Sequence, residues 1–339
     1  MIDIATAIEQ VQAGCDLTAA QTGHLIDQML DGQADAQQVG RLLLAIREKG
    51  EAVDELVGAA TSMRRHMTTI KHRYPLLLDT CGTGGSGSGT FNISTTAAIV
   101  AAACGVAVAK HGNRKATSVS GSADVLAELG VAIESDVDRV ERTLDRVGLC
   151  FCFAPKLHPA MKHVMAVRRS LAVPTLFNLL GPLCNPAGAT HQLLGTASRD
   201  AQVKIAAAIE RLGTVHSVVV RGSDGQDEVT LDGQTEVIEI RGSQQHTQRW
   251  TADDFGLPRV AVSQLQARDP GESAGIIRHI LDGNAGPPRN IVVAGTAAAL
   301  WLVGKTTGLR DAVVLASEAI DSGAAKNKLE ELVREGRSA

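Results

Sequence analysis

From Asp79 to Thr95 the chain reads DTCGTGGSGSGTFNIST, five glycines and seven hydroxyl side chains set between an apolar run and a helix-like one, with no lysine or arginine among them. Glycines let a backbone approach a ligand closely, a helix start presents unpaired N–H groups, and hydroxyls add donors, so the chemistry this surface suits is the holding of phosphate oxygens. Two familiar phosphate loops are excluded. There is no G-x-x-x-x-G-K-[ST], and GTGGSG does not follow the dinucleotide pattern with an acidic residue closing the next strand. Standing alone, a glycine run also reads as an exposed turn. About fifteen residues on, GVAVAKHGNRKATSVSGSADVL repeats the device: an apolar strand, then Lys110, His111, Gly112, Asn113 and Arg114, then a hydroxyl-rich approach to a helix. Open α/β sheets bind ligands outside the C-terminal ends of their strands. One polyphosphate spanning both loops is therefore expected.

Two further stretches carry charge where chemistry could use it. GSDGQDEVT places Asp227 and Glu228 side by side. In a regular strand they would face opposite ways, whereas in a loop both can turn to one ion; a solvated acidic turn fits the spacing equally well. In HPAMKHVMAVRRSL, Pro159 opens a helix whose buried stripe is Met161, Val164 and Met165. Arg168 falls seven, four and three residues beyond them on the same face, and Arg169 is turned farther round. An inward guanidinium can make a forked contact with a carboxylate, or it can snorkel along the edge of the core.

The elements that must position these groups follow from the hydrophobic pattern. Residues 1 to 73 read as helices: Thr18 with Gln21, and Asp35 with Gln38, have the spacing of capping boxes, and Gly50 stops the second of those helices. From Tyr74 the texture changes. LLLDTCG, GVAVAKHG, GLCFCFAP, QLLGTA, HSVVVRG, TEVIEI and NIVVAG read as strands, with amphipathic helices between most of them. The alternation predicts an α/β fold: a small all-helical domain, 1–73, and a larger α/β domain with a mainly parallel central sheet, 74–169 and 191–339. The proline-bearing segment 170–190 is expected to leave the sheet and pack with the N-terminal helices.

Composition narrows the class. A chain of 339 residues suits two domains, and a net charge of -4 gives no global basic field to draw it to nucleic acid or anionic lipid. An aromatic content of 2% removes the stacking platforms of single-strand binders. No apolar run is long enough to cross a bilayer, and the six cysteines form no C-x-x-C pair. A reduced, cytoplasmic protein is the simple expectation.

GTGG…GTFNIST, KHGNR…SGSADVL, HPAMK…VRRSL, FNLLGPLCNPA and DEVT, in that order, resemble the signature set of the anthranilate phosphoribosyltransferases, whose fold is shared with pyrimidine nucleoside phosphorylases. The resemblance extends from the N-terminal helices to the closing AKNKLEEL. It implies transfer of the 5-phosphoribosyl group from phosphoribosyl pyrophosphate to the amino group of anthranilate in tryptophan biosynthesis. Carried over on matching positions, Gly82, Gly85, Ser86, Thr90, Asn92, Ile93, Ser94, Thr95, Lys110, His111, Gly112, Asn113, Arg114, Lys115, Ala116, Thr117, Ser118 and Ser122 hold the phosphates and ribose. Gly82, Asn113, Arg168, His111 and His158 line the anthranilate site, although each imidazole could equally satisfy backbone groups. Lys110, Asn113 and Arg168 carry the catalysis. The resemblance further implies Mg2+, two ions, held through Ser94, Asp227 and Glu228, and a homodimer formed through the helical domain.

Two positions depart from the family pattern. Ser86 stands where the family usually has aspartate, and Lys115 where it usually has a small residue. Three other readings compete: a nucleoside phosphorylase on the same fold, for which KHGNR and DEVT are the wrong motifs; a nucleic-acid-binding paralogue, against which the acidic balance argues; and a paralogue with another aromatic acceptor.

Overall fold

The computed structural model describes residues 2–114 and 120–337. Four helices open the chain: α1 (Ile4–Gln12), α2 (Ala19–Leu30), α3 (Ala36–Lys49) and α4 (Val53–His66). The Thr18 box forms in both directions, Gln21 N–H donating to Thr18 Oγ1 at 3.2 Å and Thr18 N–H to Gln21 Oε1 at 2.8 Å. Asp35 caps one-sidedly, accepting from the N–H groups of Gln37 and Gln38 with no return bond from the Gln38 side chain.

Seven strands follow: β1 (Leu78–Gly82), β2 (Val108–Gly112), β3 (Leu149–Phe153), β4 (His191–Gly195), β5 (His216–Gly222), β6 (Gln234–Arg241) and β7 (Gln244–Thr251). They lie in the order β3-β2-β1-β4-β5-β6-β7. The first five are parallel, and β6 and β7 add an antiparallel edge. The chain winds outward from β1 to β3 on one side and from β4 to β7 on the other, so the switch point lies between β1 and β4.

The remaining helices are α5 (Ile93–Ala103), α6 (Ser122–Glu128), α7 (Val137–Val147), α8 (Ala154–Leu157), α9 (Lys162–Leu171), α10 (Phe177–Leu180), α11 (Arg199–Leu212), α12 (Ala252–Phe255), α13 (Pro270–Leu281), α14 (Pro287–Leu302), α15 (Leu309–Asp321) and α16 (Ala324–Arg337). Strand side chains alternate between the two faces. Leu78, Val108, Leu149, Phe151, Val218 and Val220 join the core under α5, α14, α15 and α16. Val219, Leu194 and Cys81 point the other way, into a cluster that contains Ile205 and Ile209 of α11 and the apolar faces of α1 to α4. Phe177, Leu180, Leu183 and Cys184 belong to that same cluster, as do Val164 and Val167 of α9.

Two readings of the sequence need correcting. NIVVAG is part of α14 and not a strand: Pro287 and Pro288 start the helix, and every residue from Ile291 to Leu300 is buried, so its apolar surface goes all the way round and shows no helical period. β7, QQHTQRWT, was unread because it is an edge strand whose side chains are mostly exposed and polar. All six cysteines are free. Among the described residues, no helix is long and apolar enough to cross a membrane.

Candidate active site at the C-terminal rim of the sheet

The glycine loop leaves β1 at Gly82 and returns at α5. Gly84 and Gly85 have φ of 70° and 85°, left-handed values that a side chain disfavours, with open space where a Cβ would stand. Ser86 Oγ lies 3.1 Å from Ser88 Oγ, which lies 3.3 Å from Thr90 Oγ1, so the loop hydroxyls form a relay. Its far end is tied down by Ala267 N–H to Gly89 O and Phe91 N–H to Leu265 O, both at 2.9 Å. Asn92 is held by Ser273, whose hydroxyl accepts from Asn92 N–H at 3.1 Å and donates to Asn92 Oδ1 at 2.9 Å.

The helix start is less bare than the sequence implies. Glu228 Oε1 accepts the Ser94 N–H at 3.2 Å, and Asp227 Oδ2 accepts the Gly84 N–H at 3.1 Å. The acidic pair is thus fastened to the glycine loop from across the switch point. Close packing permits this: a Cβ on Gly82 would lie 2.9 Å from Asp227 Oδ2, and one on Gly195, at the end of β4, would collide with the Asp227 carbonyl. Burial first, then the charge of Asp227, push the Glu228 carboxyl up to about 8; Lys110 and the Ser94 N–H act in the opposite direction.

Lys110 is buried behind the loop. Its ammonium donates to Thr80 O and lies 3.4 Å from Ser94 Oγ. Burial lowers its pKa, while Asp79, Cys81 and Glu228 raise it. His111, the next residue on β2, places Nδ1 3.0 Å from Gly181 O and Nε2 3.2 Å from His158 Nε2. With Nδ1–H donating to the carbonyl, His111 Nε2 accepts from His158 Nε2–H, an assignment made from the network. Burial drives both below the ordinary imidazole range, to about 3 and about 4, so both rings are neutral near pH 7.

Asn113 and Arg114 are exposed. Arg114 turns to Asp124 and Glu134 at 3.4 and 3.0 Å and lies over the Phe153 ring. Gly112 packs against Ser122, whose hydroxyl donates to Asn113 O. Ile93 and Thr95 are buried in the first turn of α5. Lys115, Ala116, Thr117 and Ser118 lie outside the described residues.

The helix that carries Arg168 starts later than the sequence implies. Residues Pro159–Met161 form a 3₁₀ turn, and the buried positions of α9 are Val164 and Val167, with Met165 half-buried. Arg168 is half-buried and Arg169 exposed. The Arg168 guanidinium sits 5.4 Å from the Phe177 ring centre, with Nη1 3.9 Å from Met165 Sδ, and pairs with no carboxylate among the described residues. Burial lowers its pKa.

Strand ends β1 and β2 and the 222–230 loop thus bring a donor-rich loop, a buried ammonium and two carboxylates to one rim, while the Arg168 guanidinium on α9 packs on Phe177 and Met165. Comparison with known proteins identifies the family. Residues 5–67 match the glycosyl transferase family helical bundle domain and residues 74–326 its a/b domain. An anthranilate phosphoribosyltransferase of Rhodopirellula baltica is 62% identical over 98% of this chain and 97% of its own, and one of Anaeromyxobacter sp. (strain K) is 48% identical over 97% and 98%. The chain belongs to the anthranilate phosphoribosyltransferase family.

The solved anthranilate phosphoribosyltransferase of Thermus thermophilus superposes with a TM-score of 0.92 at 39% identity, covering 98% of this chain and 99% of its own. That of Saccharomyces cerevisiae, in complex with phosphoribosyl pyrophosphate and magnesium, gives 0.92 at 27% identity over 99% and 98%. A further structure of the yeast anthranilate phosphoribosyltransferase holds 4-fluoroanthranilate, with a TM-score of 0.88 at 26% identity over 99% of each chain. Four groups of this anthranilate phosphoribosyltransferase family member escaped the sequence reading: Asp79, Asn185, Gly195 and Ser273. Asp79 alone left a signal, a lone carboxylate inside the apolar run LLLDTCG.

Proposed function

We propose that the chain transfers the 5-phosphoribosyl unit of phosphoribosyl pyrophosphate to the amino group of anthranilate, releasing pyrophosphate, as a step of tryptophan biosynthesis. The observation that carries this reading is the fastening of Asp227 and Glu228 to the backbone of the glycine loop and helix start, with Lys110 behind them. Donors for phosphate and carboxylates for a cation then stand against one another at the same end of the sheet.

In this reading Gly82, Gly85, Ser86, Thr90, Asn92, Ser94 and Thr95 with Lys110, Gly112 to Arg114 and Ser122 surround the donor. Arg168 takes the anthranilate carboxylate in a forked contact, next to His111 and His158. An arylamine is already nucleophilic, so alignment and stabilisation of the leaving group carry the rate. Lys110 contributes a fixed positive charge that needs no reorganisation as the glycosidic bond breaks.

The donor set fits magnesium. Two adjacent carboxylates and a hydroxyl are hard oxygen ligands. Burial and mutual repulsion hold Glu228 at a raised pKa that a cation would relieve. Among the described residues no group of three or more His, Cys, Asp or Glu is placed to hold a metal, so the donor's own phosphates and water would supply the remaining oxygens. Ser94, Asp227 and Glu228 would hold the metal, two ions in all, and when bound it offsets the charge that builds on pyrophosphate. Ser86 supplies a hydroxyl where the family usually has a further carboxylate.

Residues 1–73 with 170–190 form the helical domain of this reading, through which two copies pair, and the enzyme works in the cytoplasm. Following anthranilate fluorescence with phosphoribosyl pyrophosphate and magnesium, beside substituted aminobenzoates, tests the assignment. Consumption of anthranilate in preference to the analogues is expected; no consumption of any acceptor sinks it.

A further inference from the structure

Between β1 and β2 the sheet ladder registers only Leu78 with Val108. By contrast, β1 stays paired with β4 from Leu78–His191 to Gly82–Gly195, and β2 with β3 from Val108–Leu149 to Gly112–Phe153. The sheet therefore opens toward the two loops proposed to hold the phosphates, and side chains occupy the opening. Asp79, wholly buried, accepts the His111 N–H at 3.1 Å on Oδ1 and an Asn185 Nδ2 hydrogen at 2.8 Å on Oδ2. Asn185 donates its other hydrogen to Ala109 O at 2.8 Å and accepts the Ala187 N–H on Oδ1 at 2.9 Å. Both side chains have their partners, so the pair is a rigid spacer and not a loose polar inclusion.

The spacer is anchored from outside the sheet. Asn185 follows Leu183 and Cys184, which are held on α4: Arg64 Nε donates to Leu183 O at 2.8 Å, and Cys184 Sγ lies 3.8 Å from Ala60 O. A buried carboxylate in a strand is costly, and an apolar residue would fill the position more cheaply. What the carboxylate adds is a fixed distance. Shortening or rotating it would let Lys110 and His111, the residues that β2 presents, drift relative to the β1 loop.

We infer that Asp79 and Asn185 are positioning residues that set the separation of the β1 and β2 ends, and with it the spacing of the two loops across which the diphosphate donor lies. The inference rests on the donor site proposed above. Asp79→Asn places an N–H donor against Asn185 Nδ2, and Asn185→Ser withdraws the amide from both acceptors. Calorimetric binding of inorganic pyrophosphate with magnesium, and KM for each substrate, read the effect. Each variant is expected to raise the pyrophosphate Kd and the donor KM about 10- to 100-fold, and the anthranilate KM less, because Arg168 stands on α9 and not on β2. The double variant is expected to be no worse than the poorer single one, because both changes break one unit.

Wild-type pyrophosphate affinity in variants with native circular dichroism, or losses that multiply in the double variant, overturns the inference. If Asp79→Asn fails to fold, Asn185→Ser and Asn185→Ala carry the same comparison. A wild-type chain that binds pyrophosphate without consuming anthranilate sinks the acceptor assignment and leaves the spacer to be read from pyrophosphate binding. One that binds no pyrophosphate overturns both.

Discussion

Arg168 is the residue whose surroundings say most about a missing partner. Half-buried, it has exchanged water for a ring face and a thioether, neither of which matches the hydration of a guanidinium. In the proposed reading, a planar carboxylate of an aromatic ligand would restore what was lost, through two parallel hydrogen bonds. Replacing Arg168 by Lys keeps the charge and removes the fork. The expected outcome is an anthranilate KM raised roughly 10- to 100-fold with the donor KM nearly unchanged, measured by steady-state kinetics. Equal effects on both substrates would show that Arg168 does not discriminate between them. The sequence made the inward turn of Arg168 legible because helical periodicity is local. It misjudged where the helix begins: proline at 159 starts a 3₁₀ turn first, which shifts the buried stripe to Val164 and Val167.

At the scale of the elements, four of the five parallel strands end in glycine: Gly82, Gly112, Gly195 and Gly222. At each, an added Cβ would meet a close neighbour: Asp227 at Gly82 and Gly195, Ser122 and Phe151 at Gly112, and Asp224 at Gly222. Gly195 is the sharpest case because the obstacle is the Asp227 backbone, which cannot rotate away. Gly195→Ala must lift the 222–230 loop, moving Asp227 and Glu228 off the glycine loop. The expected result is a kcat/KM lower by at least about tenfold, with a destabilisation of about 1–3 kcal/mol. Activity assays at several magnesium concentrations together with urea unfolding check it, and full activity in the variant would mean that the loop tolerates the shift. The parallel strands were readable because each is a short apolar run beside a helical pattern. α14 and β7 were not, the first having no polar face and the second little apolar one.

For the molecule as a whole, acid sensitivity follows from its buried imidazoles. His111 is held at about 3 by burial, then by His158, below the ordinary 6.5 that applies to an unfolded chain. Between those values the unfolded chain carries the extra proton, so stability is unaffected above about pH 6.5 and falls as the pH drops below it. By about pH 5 the penalty from this one ring is about 2 kcal/mol. Asp79 and Glu228, whose carboxyls are raised by burial, act in the opposite direction. The measurement is therefore a difference: urea midpoints of wild type and His111→Gln from about pH 7 to about pH 5, with the steeper fall expected for wild type. Parallel curves would mean that His111 takes up its proton in the folded protein. The network around this ring was invisible in the sequence, because Asp79 and Asn185 stand 106 positions apart and meet only through the fold.

The cluster that holds the inner faces of α1 to α4 also takes in Ile205 and Ile209 of α11 and, from the sheet, Cys81, Leu194, Val219, Ile238 and Ile240. The two family models part the chain between residues 67 and 74, yet the oil does not divide there. Cut at that border, the α/β portion would keep every residue proposed to hold a ligand and lose the greasy lining beneath four of its strands, and the stretch from Leu183 to Asn185 would lose the Arg64 clasp that steadies it.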